Sequence, residues 1–227
     1  NTVFKGYKYK FYGQEKAAGS MELADAELCE DVVNKYCITI ISGVGPITIT
    51  AVWEYTIPYS GITEDEITNY GLPKTYLSTD EEVRLPEIVS DKENVKFTKY
   101  QYISTNINEY SDISMCDDDE TFDCIDVSES QILDVMVVWG YDINYSNLSD
   151  EEVVSYGLPT SHSTLDSVVK LPKITSSDEN IKFNSYKYHF VSLDGTDTTE
   201  AVEASLCEES EDEYCISLPG DYLLNIE

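Results

Sequence analysis

The chain has 227 residues, 41% of them hydrophobic, and carries 44 Asp plus Glu against 14 Lys plus Arg, a formal net charge of -30. That length and apolar content can fill real cores and exclude a disordered tail, while the acidity excludes a nucleic-acid binder, because a phosphate backbone is repelled. No run approaches the roughly 18 to 20 apolar residues of a membrane span and Asn1 opens no charged-then-apolar signal segment; the expectation is a soluble chain without membrane insertion, either a mature protein or an excised fragment.

The first predicted strand is VFKGYKYKF from Val3, in which Tyr7, Tyr9 and Phe11 alternate with Lys8 and Lys10. Period-two alternation describes a half-buried strand, here with a basic outer edge. Cys29 and Cys37 follow, and then a strand whose Ile47, Ile49, Ala51, Trp53, Tyr55 and Ile57 share one face, predicted to be buried. Tyr59 stands at its exit as a surface candidate. Thr63 and Glu66 match the S/T-x-x-E box that satisfies orphan amides at a helix start, and acidic residues crowd the first turn, where the helix dipole favours them. Gly71 suits the left-handed residue just past a helix, and Leu72-Pro73 prevents continuation. A two-turn helix is therefore predicted, with Tyr70 at its end, and the weaker alternative is that this tyrosine faces a partner. VRLPEI from Val83 reads as a short edge strand or extended docking segment, because proline cannot donate within a central strand.

The same order then returns. VKFTKYQYI from Val95 matches the first strand, Cys116 and Cys124 the cysteine pair, and Leu133, Val135, Val137, Trp139, Tyr141 and Ile143 the buried face. Asn144 and Asn147 fit the N-glycosylation pattern. Tyr145, Ser149 with Glu152, Tyr156, Gly157 and VVKLPKI repeat the exit tyrosine, the capped helix and the Leu-Pro segment. IKFNSYKYHF from Ile181 opens a third copy, with Tyr186, Tyr188 and Phe190 alternating with Lys187 and His189. Cys207 and Cys215 follow, and Leu224 and Ile226 begin the buried stripe. This copy stops before its tryptophan is due, as if cut from a longer array.

A displacement of 86 residues superposes Trp53–Phe97 on Trp139–Phe183 without a gap, and a fixed period of that size means duplicated modules. The expected fold is mainly β: tandem, disulfide-stapled antiparallel β units, sandwich-like, with one short helix per repeat. The expected domains are residues 1–94, residues 95–180 and a partial third β unit at 181–227.

Six cysteines in three equally spaced pairs, with none left over, point to disulfides in an oxidising compartment. Zinc competes poorly, since seven intervening residues match no common finger spacing and no histidine accompanies the pairs. Each bridge would close a short loop and stabilise its unit by roughly 2.5 kcal/mol in the chain-entropy model. Inside two of the loops lie Asp117, Asp118, Asp119, Glu120 and Asp123, and Glu208, Glu209, Glu211, Asp212 and Glu213. They read as solvated hairpin tips or acidic contact surfaces, with calcium a weaker third reading because no D-x-[DN]-x-[DN]-G pattern is present. Lysines in the tyrosine-rich strands, such as Lys5, Lys8 and Lys96, are expected to offset these loops.

No catalytic site stands out. His162 aligns with Tyr76 and His189 with Lys10 and Gln101, so a Ser/His/Asp or Cys/His arrangement lacks its base. Carboxylate pairs abound through composition alone and none is singled out. No catalytic residue, cofactor or metal is expected.

The tandem modules, YKYxF strands, paired cysteines as in CDDDETFDC and acidic composition together resemble the repeats of anaerobic-fungal scaffoldins. The resemblance implies a noncatalytic surface or secreted protein whose modules act as cohesins, holding enzymes through small dockerin domains. Several equivalent sites on one chain would then give avidity. The expected function is docking of basic, dockerin-like domains of secreted enzymes, outside the cell. Tyr59, Tyr145, Tyr70, Tyr156, Asp117, Asp118, Asp119, Glu120, Glu208, Glu209 and Glu211 are the candidate contacts. The alternative is a carbohydrate-binding or adhesive array in which exposed tyrosines stack on a polysaccharide. Trp53 and Trp139 argue against it if their parity buries them. A structural spacer is the third reading.

Overall fold

The computed structural model describes residues 2–11, 24–30, 35–40, 45–175 and 182–227. Residues 31–34 of the first cysteine loop, and Ile181 at the head of the third tyrosine-rich strand, lie outside them. Among the described residues the fold is mainly β, with several sheets built chiefly of antiparallel pairs, one of them eight-stranded, two short helices and three disulfides. It divides into two compact units, Asn1–Pro86 with Tyr102–Val135, and Glu87–Gln101 with Met136–Glu227. Each unit thus draws on two separate stretches of chain.

In the first unit the sheet order is Ala24–Asp25, Thr2–Phe11, Ile47–Thr56, Thr75–Leu77. The ladder between Thr2–Phe11 and Ile47–Thr56 slips between Phe4 and Gly6. Gly6 takes φ 150 there, and a Cβ on it would lie 3.2 Å from the Tyr36 ring; a bulge of this kind needs a residue without a side chain. A second sheet has the order Ser114–Met115, Phe122–Asp126, Glu82–Pro86, so the Leu-Pro segment is an edge strand, as its proline requires. Val83 and Leu85 point into the unit and are buried.

The second unit repeats this arrangement with Ser205–Leu206, Glu213–Ser217 and Val168–Pro172. Tyr222–Ile226 pairs antiparallel with Lys187–Ser192 and parallel with the end of Ile132–Tyr145, through Ile143↔Leu224 and Tyr145↔Ile226. The sequence carries no signal for that parallel pair. Leu171, Ile216, Leu224 and Ile226 form the centre of the core of this unit, with Tyr186 and Phe190 against them.

Helix α1 (Glu64–Asn69) and helix α2 (Asp150–Ser155) form where the sequence predicts. The Thr63 amide donates to Glu66 Oε2 at 2.9 Å, and the Glu66 amide donates back to Thr63 Oγ1 at 3.3 Å. Ser149 and Glu152 make the same exchange at 2.9 and 3.4 Å. Gly71 and Gly157 end the helices at φ 69 and 65.

The long-strand stripes need correction. In Ile132–Tyr145, Val135, Val137, Trp139, Tyr141 and Ile143 are buried, but Leu133 is exposed and Ile132 and Val138 are buried instead. In Ile47–Thr56 the face predicted to be inside is largely outside: Ile47, Ile49 and Trp53 are exposed, Trp53 by 40% against 8% for Trp139. Period two fixes which side chains share a face, but burial depends on what covers that face. Trp53 has Phe4 edge-on at 5.3 Å and still meets solvent.

Candidate functional site

Among the described residues a groove rich in carboxylates lies in the first unit, where the Leu-Pro edge strand meets the Cys116–Cys124 hairpin. Glu82–Pro86 runs antiparallel to Phe122–Asp126, with Asp126 opposite Glu82, Cys124 opposite Arg84 and Asp123 opposite Leu85. Alternation turns Val83 and Leu85 inward and leaves Glu82 and Arg84 on the solvent side. The disulfide, with its Cα atoms 5.0 Å apart, ties the turn carrying Asp117 and Asp118 over that side. The result is an open groove of about 760 Å³ whose wall includes Glu81, Glu82, Asp117, Asp118 and Asp126. Met115, 66% exposed, contributes its thioether side chain to the same wall.

Arg84 organises this wall. Its Nη2 donates to both carboxylate oxygens of Asp118 at 3.0 and 2.8 Å, and its Nε donates to Glu82 Oε1 at 2.6 Å. Asp118 first, then Glu82, hold the guanidinium proton more tightly than usual. Exposed pairs of this kind add little stability; what Arg84 does is fix the orientation of two carboxylates. One cation faces five carboxylates, so the groove stays strongly negative. Asp119, in the turn, accepts from the Thr121 hydroxyl and amide at 2.7 and 3.0 Å, which lowers its pKa. The Ser128 hydroxyl and amide do the same for Asp126 at 2.6 and 2.9 Å. Both carboxyls therefore stay ionised further into acid than an ordinary aspartate.

The predicted contact residues separate into groups. Asp117 and Asp118 line the groove, Asp119 sits in its turn and Glu120 is exposed beside it. Glu208, Glu209 and Glu211 are exposed on the hairpin of the second unit. There the positions matching Glu81, Glu82, Arg84 and Asp126 are Ser167, Val168, Lys170 and Ser217, so the acidic wall is not duplicated. Lys5 and Lys96 bind Glu54 and Asp142 on neighbouring strands, at 2.8 and 2.9 Å, rather than the cysteine loops.

The tyrosines at the strand exits are anchored through their hydroxyls. Tyr59 and Tyr145 are half-buried and donate their hydroxyls to the carbonyls of Pro73 and Pro159 at 2.8 and 2.9 Å. Burial pushes both phenols well above their ordinary pKa. Tyr70 and Tyr156 are half-buried C-caps, and Tyr156 packs on the core of the second unit. Asn144 is exposed but donates its amide to Asn225 Oδ1 at 2.9 Å, and Asn147 is exposed with Ser149 of its sequon serving as the helix cap. Among the described residues no group of three His, Cys, Asp or Glu is placed to hold a metal ion.

Glu81, Glu82, Arg84, Asp126 and Met115 were not legible as site residues. The alternation of VRLP could have put Arg84 outward, but the strand facing it is set by a pairing across 40 residues of sequence separation in Cys124↔Arg84. No family model, curated protein or solved structure matches the chain.

Proposed function

We propose that the chain is a tandem array of disulfide-stapled, sandwich-like units that binds protein without catalysis, cohesin-like in role, and docks small basic domains of secreted enzymes outside the cell. The observation that carries this reading is the groove in which five carboxylates and one clamped guanidinium surround the exposed Met115. A basic segment with one apolar side chain complements it: cations meet the carboxylates, and the apolar group meets the thioether. The three disulfides and the absence of a long apolar helix among the described residues are compatible with an extracellular protein. Docking by charge also predicts fast association that weakens with salt.

The full chain, immobilised, should retain basic dockerin-like domains at low ionic strength and release them as salt rises. Replacing Glu81, Glu82, Asp117 and Asp126 by their amides should weaken retention by about tenfold, ~1.4 kcal/mol. Retention indifferent to both salt and the amide variant would refute the reading. The 40% exposure of Trp53, beside exposed Phe4 and Tyr7, favours a carbohydrate-binding second reading; retention of polysaccharide alone, abolished by Trp53→Ala, would select it.

A further inference from the structure

The second unit buries an imidazole at a position where the first buries a phenol. In each unit a short strand after the helix lies antiparallel on a long strand. Thr75–Leu77 lies on Ile47–Thr56 with Tyr76 opposite Tyr55, and Ser161–Ser163 on Ile132–Tyr145 with His162 opposite Tyr141. The ring centroids of both pairs are 5.3 Å apart. Tyr76 and His162 are 5% and 4% exposed. Each ring also reaches the strand that opens the next copy of the apolar stripe: the Ile132 amide donates to the Tyr76 hydroxyl at 3.0 Å, and His162 Nε2 lies 3.1 Å from the Tyr222 carbonyl at the head of Tyr222–Ile226.

The two seams differ in what acid can do to them. A carbonyl only accepts, so His162 donates from Nε2, and the neutral ring has no proton left for Nδ1. Nδ1 is buried and meets no hydrogen-bond partner among the described residues. Protonating the ring would place there both a second N–H without an acceptor and a positive charge, each costly away from water. Tyr76 carries no such liability. Its phenol is neutral below its ordinary value of 10, and burial raises it further.

The titratable groups around the ring do not rescue its charged form. Asp166 in the adjoining turn, with the Ser163 and Tyr222 backbones, favours the cation, but burial outweighs them. Tyr141 on the long strand donates its hydroxyl to Asp221 Oδ1 at 3.1 Å, which engages that carboxylate beside Tyr222. The unfolded chain takes up the proton with the ordinary imidazole value of 6.5, whereas the folded ring resists it. Below that value the unfolded form therefore binds more protons, and stability falls with pH until the folded ring titrates as well.

We propose that His162 is an acid-sensitive latch: it holds Tyr222–Ile226 to the segment after helix α2 at neutral pH and loosens it in mild acid, while the Tyr76 seam of the first unit stays closed. The imidazole is the one change that gives the second seam this response, because strand register, ring spacing and burial match at the two positions. The latch is independent of the acidic groove and of any partner.

The test is hydrogen exchange of the isotopically labelled full chain, read as protection factors from about pH 7.5 to about pH 5.5, a range in which ordinary carboxyls stay ionised. Protection of the Tyr222–Ile226 amides should fall below about pH 6.5, by up to about tenfold for each pH unit, while the Ile132 amide at the Tyr76 seam keeps its protection. His162→Tyr, which installs the phenol of the first unit, and His162→Gln should each remove the fall. His189→Gln should leave it, although His189 Nε2 lies 3.1 Å from Asn225 Nδ2 on the same strand pair. In the unaltered chain the imidazole nitrogen signals should show a neutral ring with its proton on Nε2 at neutral pH. Flat protection of Tyr222–Ile226 across the range, a fall that persists in both His162 variants, or a His162 ring already protonated at neutral pH would each overturn the proposal.

Discussion

Tyr59 and Tyr145 each tie a strand exit to the loop that follows the next helix, through a hydroxyl donated to a proline carbonyl fourteen residues along. Backbone bonds from Ile57 to Lys74 and from Ile143 to Thr160, both 2.9 Å, tie the same strand ends to the same loops, and the tyrosine adds a side-chain cross-link beside each. Tyr145→Phe should lower stability in urea by about 1 kcal/mol, the usual net worth of such a bond, and leave retention of basic domains unchanged. Loss of retention without loss of stability would instead place Tyr145 in the docking surface. The repeated tyrosine was visible in the sequence, but its partner was not, because a carbonyl has no sequence signature. His162 illustrates the same limit. It replaces Tyr76 of the first copy and is buried, with Nε2 3.1 Å from the Tyr222 carbonyl. Burial lowers its pKa, so the ring packs there in its neutral form.

At the scale of elements, the features written locally survive and those that depend on cover do not. The helices were legible in full because cap, first turn and stop all lie within a few residues of each other. Thr63→Ala and Ser149→Ala should each cost about 1 kcal/mol, read by chemical denaturation, whereas an exposed change such as Val154→Ala should be near neutral. Equal effects from all three would mean the boxes do not set helix stability. The Leu-Pro edge strands were legible from proline chemistry, although the strand each one pairs with was not. The buried stripe was legible as a shared face, yet Ile49 and Trp53 are exposed on it, because alternation does not say what packs over a face. Matching sequence thus recurs with matching helix caps and edge-strand pairing but different burial.

Over the whole molecule, a net charge of -30 attracts cations everywhere at low salt, so acidity alone names no site. Selectivity must come from geometry, and geometry separates the two units: five carboxylates line the groove of the first, while the matching strand positions of the second carry serine, valine and lysine. The central claim is that basic partners dock at this groove and not wherever acidic residues are exposed. Amide shifts of the isotopically labelled full chain, titrated with tetralysine over a range of salt concentrations, test this most directly. The account predicts shifts concentrated at Glu81–Arg84, Asp117, Asp118 and Asp126, persisting at ionic strengths that erase diffuse attraction; shifts of equal size at Glu208, Glu209 and Glu211, fading together with the others, would contradict it.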